Sequence, residues 1–165
     1  MASPRRLEET PEVPSTAAIA GHPIHPMLVP FPIASLVGAL VTDVIYLLTN
    51  DHFWSKASLY LVGAGVITGA VSAVAGLIDF ATKPRIRQLR IAWIHFGGNA
   101  LVLALAFISV LRRRDDPSEA VAPWGLILSI AISTILVVTG WLGGEMSYRH
   151  KIGVNSAKSD VIPGS

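Results

Sequence analysis

The sequence predicts an all-α integral membrane protein, a four-helix antiparallel bundle with both termini on the cytoplasmic side. Three observations lead there. Four apolar runs, 27–49, 57–80, 91–111 and 124–144, hold 21–24 residues each. As helices they cover roughly 30–36 Å, enough to cross a bilayer. Composition agrees, with 52% hydrophobic and only 15% charged residues and a mean hydropathy of +0.55. Stretches such as LVLALAFISVL and LILSIAISTILVV also lack the polar face that a soluble bundle helix needs.

Taken in order, residues 1–21 are polar, rich in small residues and expected as a mobile tail. Arg5 and Arg6 precede LEETPEVP and no apolar region, so no cleaved signal is expected. The first span opens on GHPIHP, where Pro26 suits a first helical position, and Pro30 and Pro32 free the carbonyls of Pro26 and Leu28. Span two carries a smooth face of Gly65, Gly69, Ala73 and Gly76; span three carries Gly97 and Gly98, and span four Gly140 and Gly144. The connections 50–56, 81–90 and 112–123 are short, which makes successive helices antiparallel neighbours in one domain, 22–153, followed by a second polar tail, 154–165.

Orientation follows from the basic residues. Arg5, Arg6, Lys83, Arg85, Arg87, Arg90, Arg149, Lys151 and Lys158 fall on one side, against Lys56, Arg112, Arg113 and Arg114 on the other. The first group marks the cytoplasmic face. Aromatic belts fit the same frame, with Phe80, Trp93, Trp141 and Tyr148 inside and Tyr46, Phe53, Trp54, Tyr60 and Trp124 outside.

Absences narrow the chemistry. With no cysteine there are no disulfides, thiolate metal sites, thiolate-held iron–sulfur clusters or cysteine nucleophile. A net charge of +2 without a basic stripe gives no nucleic-acid surface. No phosphate-binding loop, nucleophile elbow or zinc-protease motif is present. Histidines and carboxylates remain.

Their placement is uneven: His22, His25, Asp79, His95, Glu145 and His150 all map to the inner side, and only His52 to the outer. Each histidine of the HPIHP segment precedes proline, which favours extended geometry and sets the two about 9 Å apart, so that they do not easily share one metal. Asp79, in the last turn of its helix, needs a cationic or hydrogen-bonding partner, with Lys83, Arg85, His95 and the histidines before helix one as candidates. His95 and Asn99 share one helix face, expected to look inward. Asp43 is expected to hydrogen-bond Thr42, Ser58 or Tyr60; a place on an inward proton path is the alternative. The separations His25 to Asp79 and His95 to Glu145, 54 and 50 residues, echo one another as a duplicated hairpin would.

GHPIHPMLVPFPIA at the start of helix one, Asp43 near its end, GLIDF closing helix two, WIHFGGN in helix three and GWLGGEMSYRHKIGV closing helix four together resemble the bacterial membrane protein family called domain of unknown function 2231. The resemblance spans about residues 20–155 and implies a four-helix membrane domain of the bacterial inner membrane. In some members that domain looks fused to Rieske-type or c-type cytochrome modules, which implies redox chemistry at the membrane. The motif positions here are His22, His25, Asp43, Asp79, His95, Asn99, Gly143, Gly144, Arg149, His150 and Gly153.

The expectation is therefore a multi-pass protein that binds b-type haem and exchanges electrons with a redox partner, an electron carrier or binding subunit and not a stand-alone enzyme. His95 is the first axial ligand, with His25 or His150, then His22, as its mate. Arg149, Lys151 and Arg85 would pair with haem propionates, and Asp79 and Asn99 would orient an imidazole. One alternative is a copper, zinc or iron site built from His22, His25, Asp79, His95 and His150. Another is a scaffold subunit whose polar residues lock helix ends. The small-residue faces are also compatible with a homodimer.

Overall fold

The computed structural model describes residues 12–154. Its helices are α1 (Ile24–Leu28), α2 (Pro30–Thr49), α3 (His52–Thr82), α4 (Pro84–Arg87), α5 (Arg90–Arg113), α6 (Pro117–Ala120) and α7 (Leu126–Tyr148), with a π-helical turn at Val121–Gly125 before α7. They form four helices long and apolar enough to cross a membrane: Ile24–Thr49, His52–Thr82, Arg90–Arg113 and Pro117–Tyr148. The four spans expected from the apolar runs are all present; each starts before its run and three end after it. Asp51 begins α3 by accepting from Phe53 N, and Asn50, left-handed at φ 55°, ends α2, so two residues complete that turn. Val29 keeps helical angles between α1 and α2, where Pro30 and Pro32 remove N–H donors without breaking the span. Ala122 is extended (φ −107°, ψ 134°) before Pro123, and there the fourth span kinks.

Packing pairs α2 with α3, α3 with α5, α5 with α7 and α7 with α2, closing a four-helix ring. Its middle is apolar: Leu36, Ala39, Val62, Val102, Ala106, Ile132 and Leu136. Gly65 lets α2 and α3 meet, since a Cβ there would lie 2.6 Å from Leu36 Cγ. Only 17–28% of each span's most apolar window is buried, so most apolar side chains face outward, as lipid requires. At one end His52 Nδ1 meets Ser118 Oγ at 2.6 Å and Ser55 Oγ meets it at 2.9 Å, tying the α2–α3 turn to α6.

At the opposite end residues 12–21 are not the free tail that composition suggests. Val13 N donates to Lys151 O (3.0 Å) and Gly153 N to Val13 O (2.9 Å), so both described ends of the chain meet there. Val13 packs with Ile86 and Ala92 in a second small core. Strands β1 (Ala18–Ile19) and β2 (His22–Pro23) form a short antiparallel hairpin leading into α1. The other tail positions, 1–11 and 155–165, lie outside the described residues.

Candidate functional site

The end where Val13 meets Lys151 and Gly153 also holds a pair of neighbouring imidazoles. His25 lies in the first turn of α1 and His95 in the second turn of α5; their ring centroids are 6.2 Å apart and the planes nearly perpendicular at 83°. His25 Nδ1 sits 2.9 Å from Ser72 O on α3, and His95 Nδ1 sits 2.8 Å from Thr139 O on α7. A carbonyl oxygen only accepts, so in each ring Nδ1 carries a proton, which leaves Nε2 as the nitrogen that could bind a ligand. That is how backbone carbonyls fix metal-binding histidines elsewhere.

Small residues make room for the rings. A Cβ on Gly76 would lie 3.0 Å from His25 Nδ1, and one on Gly143 3.1 Å from His95 Cε1. Asn99 Nδ2 donates to His95 O (2.8 Å), and its Oδ1 accepts from Thr139 Oγ1 (3.4 Å), so the same threonine that holds His95 also holds the next turn of α5. Beside the pair lies a cavity of about 70 Å³, walled mainly by apolar and small side chains with Ser72, Asn99 and Thr139 as its polar points.

The rest of the expected set is engaged elsewhere. His22 Nδ1 meets Ala20 O at 3.0 Å on the exposed hairpin. Asp79 takes neither Lys83, Arg85 nor an imidazole: its carboxylate accepts from Ser15 Oγ (2.6 Å), Thr16 N (2.6 Å) and Ala17 N (3.0 Å), pinning the N-terminal segment to α3. His150, half-buried past the end of α7, makes no hydrogen bond or ring contact among the described residues. Arg149 pairs with Glu145 at 2.7 Å and is exposed. Among the described residues no group of three or more His, Asp or Glu is drawn together to hold a metal ion. The wide site of His22, His25, Asp79, His95 and His150 is thus reduced to two imidazoles.

Arg113 and Asp43, at the far end of the bundle, form a cluster that sequence reasoning divided. Both are 0% exposed and joined by two bonds of 2.7 Å. Arg113 also donates to Ser109 (3.0 Å), Ser58 (3.0 Å) and Ser129 (3.3 Å), while Ser58 and Ser129 each donate to Asp43 at 2.6 Å. The expected bond from Ser58 to Asp43 is present; the decisive partner is Arg113, which as part of RRR reads as a loop charge. Its signal was the position four residues past Ser109, on a span that faces a lone intramembrane carboxylate.

One family's sequence model matches residues 21–156, from the glycine before His22 to beyond the last described residue. The chain belongs to the DUF2231 family of predicted membrane proteins. The DUF2231 match takes in all four spans and both imidazoles. No curated protein and no solved structure matches the chain.

Proposed function

We propose that this membrane protein holds a single small metal ion between His25 and His95. The observation that carries the reading is the ring pair itself. Two imidazoles sharing one metal through Nε2 bonds of about 2.0–2.1 Å place their centroids roughly 5 Å apart at a tetrahedral angle and up to about 6.4 Å when collinear, a range that includes the 6.2 Å seen here. A zinc or copper(II) ion wants more donors than the two gathered, and water would supply the rest. Two imidazoles would also suit b-type haem as donors, but the site does not fit it, because pockets for ligands of that size run to about 300–1,000 Å³ against about 70 Å³ here. The chain's own part is to fix both tautomers through Ser72 O and Thr139 O, to brace α5 through Asn99 and to keep bulk water from the apolar walls.

The cavity has room for such an ion with a water as further ligand. For orientation, burial of Arg113 against Asp43 leaves Lys56, Arg112 and Arg114 as the loop cations of the far end, which supports a cytoplasmic placement of the end that holds the imidazole pair.

Protein purified in mild detergent from metal- and haem-replete cells is expected to carry elemental metal without a Soret band, and His95→Ala and His25→Ala each to lose it. A Soret band with a sharp reduced-state α band would favour b-type haem instead. A colourless, metal-free and well-folded protein would reject a metal centre.

A further inference from the structure

The bundle is two hairpins whose site residues correspond at two constant steps along the chain. A step of 70 residues takes His25, Pro32 and Ile33 to His95, Val102 and Leu103, and all six line the cavity. A step of 67 takes Gly69, Ser72 and Ala73 to Leu136, Thr139 and Gly140, which line it too. The difference between the steps is a second hairpin that is shorter across its turn. Hydrogen bonding repeats with the residues: Ser72 O accepts from His25, and its counterpart Thr139 O accepts from His95. Gly76 lies against the first ring and its counterpart Gly143 against the second. The step of 70 also holds at the far end, where Ala39 and Asp43 map onto Ser109 and Arg113, all four buried. Helical periodicity alone repeats burial every three or four residues. It does not return the same imidazole, carbonyl acceptor and glycine at matching heights.

We propose that the chain is a duplicated helical hairpin with a pseudo-two-fold axis along the bundle, and that its two polar clusters are where equivalent residues meet on that axis. Parallel repeats related by an axis along the membrane normal produce this arrangement. At one end the equivalents have stayed alike, His25 and His95; at the other they have diverged into opposite charges, Asp43 and Arg113. For the ligand the proposal rests on the metal reading above and deepens it. Two equivalent imidazoles on an axis would hold one metal ion as equal partners, with neither an accessory to the other.

The symmetry is tested without any ligand by interchanging the far cluster. Asp43→Arg with Arg113→Asp exchanges the charges, and adding Ala39→Ser with Ser109→Ala moves the hydroxyl that accepts from the arginine Nε to its equivalent place. The fourfold variant is expected to recover most of the thermal stability that Asp43→Arg alone removes, and to exceed the double reversal. A fourfold variant no more stable than Asp43→Arg alone overturns the duplication. The ligand is tested by titrating zinc and copper(II) in turn into purified protein: wild type is expected to bind one equivalent, and His25→Gly and His95→Gly each to lose affinity to a similar degree. Loss on substituting only one histidine overturns the equivalence. Failure of wild type to take up either ion, with a successful charge interchange, rejects the metal centre and leaves the duplication standing.

Discussion

Replacing one member of the Asp43–Arg113 pair leaves the other stranded, and the structure sets the size of the effect. All five N–H groups of Arg113 are used: Nε by Ser109, Nη1 by Asp43 and Ser58, and Nη2 by Asp43 and Ser129. Asp43→Ala removes both charge-assisted bonds and leaves a guanidinium with three hydroxyls at 0% exposure. Arg113→Ala leaves a carboxylate with Ser58 and Ser129 alone. Breaking a buried pair in this way costs about 3–5 kcal/mol, whereas replacing both partners by apolar residues of similar volume is far milder. We therefore expect Asp43→Ala and Arg113→Ala each to lose roughly 3–5 kcal/mol, and Asp43→Leu with Arg113→Met to lose less than either. Unfolding titrations with SDS in mixed micelles, read by tryptophan fluorescence, measure all three. A double variant whose loss equals the sum of the single losses would refute the reasoning, because it would show that the two side chains do not act as a pair.

Gly65→Ala should cost about 1–3 kcal/mol in the same titration, since the new Cβ would lie 2.6 Å from Leu36, while Gly63→Ala, with open space around it, should be neutral or gain up to about 1 kcal/mol. Equal responses at the two positions would remove the α2–α3 approach as a determinant of packing. The absence of native cysteine makes single-cysteine mapping clean. Asp115→Cys is expected to react with a membrane-impermeant maleimide in intact cells and Gln88→Cys only after permeabilisation; the reverse pattern would invert the orientation.

Four spans were legible because a bilayer demands long apolar runs whatever their partners. Span ends were not, since residues such as Asp51 and Asn50 act through caps and not through hydropathy. Within the site, His95 and Asn99 could be placed on one face by helical spacing, and their shared brace through Thr139 follows from that face. The geometry of HPIHP was harder. Extended geometry puts His22 and His25 on one side, but the hairpin Ala18–Ile19/His22–Pro23 turns His22 outward and delivers His25 alone into the bundle. Asp79 illustrates a limit of charge reasoning: a carboxylate at a helix end looks for cations, yet backbone N–H groups from 63 and 62 residues away satisfied it, and no local spacing encodes that meeting. Arg113 was hidden by its neighbours, as three arginines in a row read as solvated charge until the burial of one is known.

The apolar layer of Leu36, Val62, Val102, Ala106, Ile132 and Leu136 divides the bundle electrically. Moving one charge fully across a membrane works against about 2.3 kcal/mol per 100 mV, and in this protein that drop falls mainly over the dry layer. The imidazole pair lies wholly on one side of it, so a charge arriving from that side would cross little of the field. Beyond the layer, Asp43 and Arg113 cancel. Occupancy of the proposed centre would thereby be tied to the chemistry of one compartment and nearly blind to the voltage of the membrane that holds it.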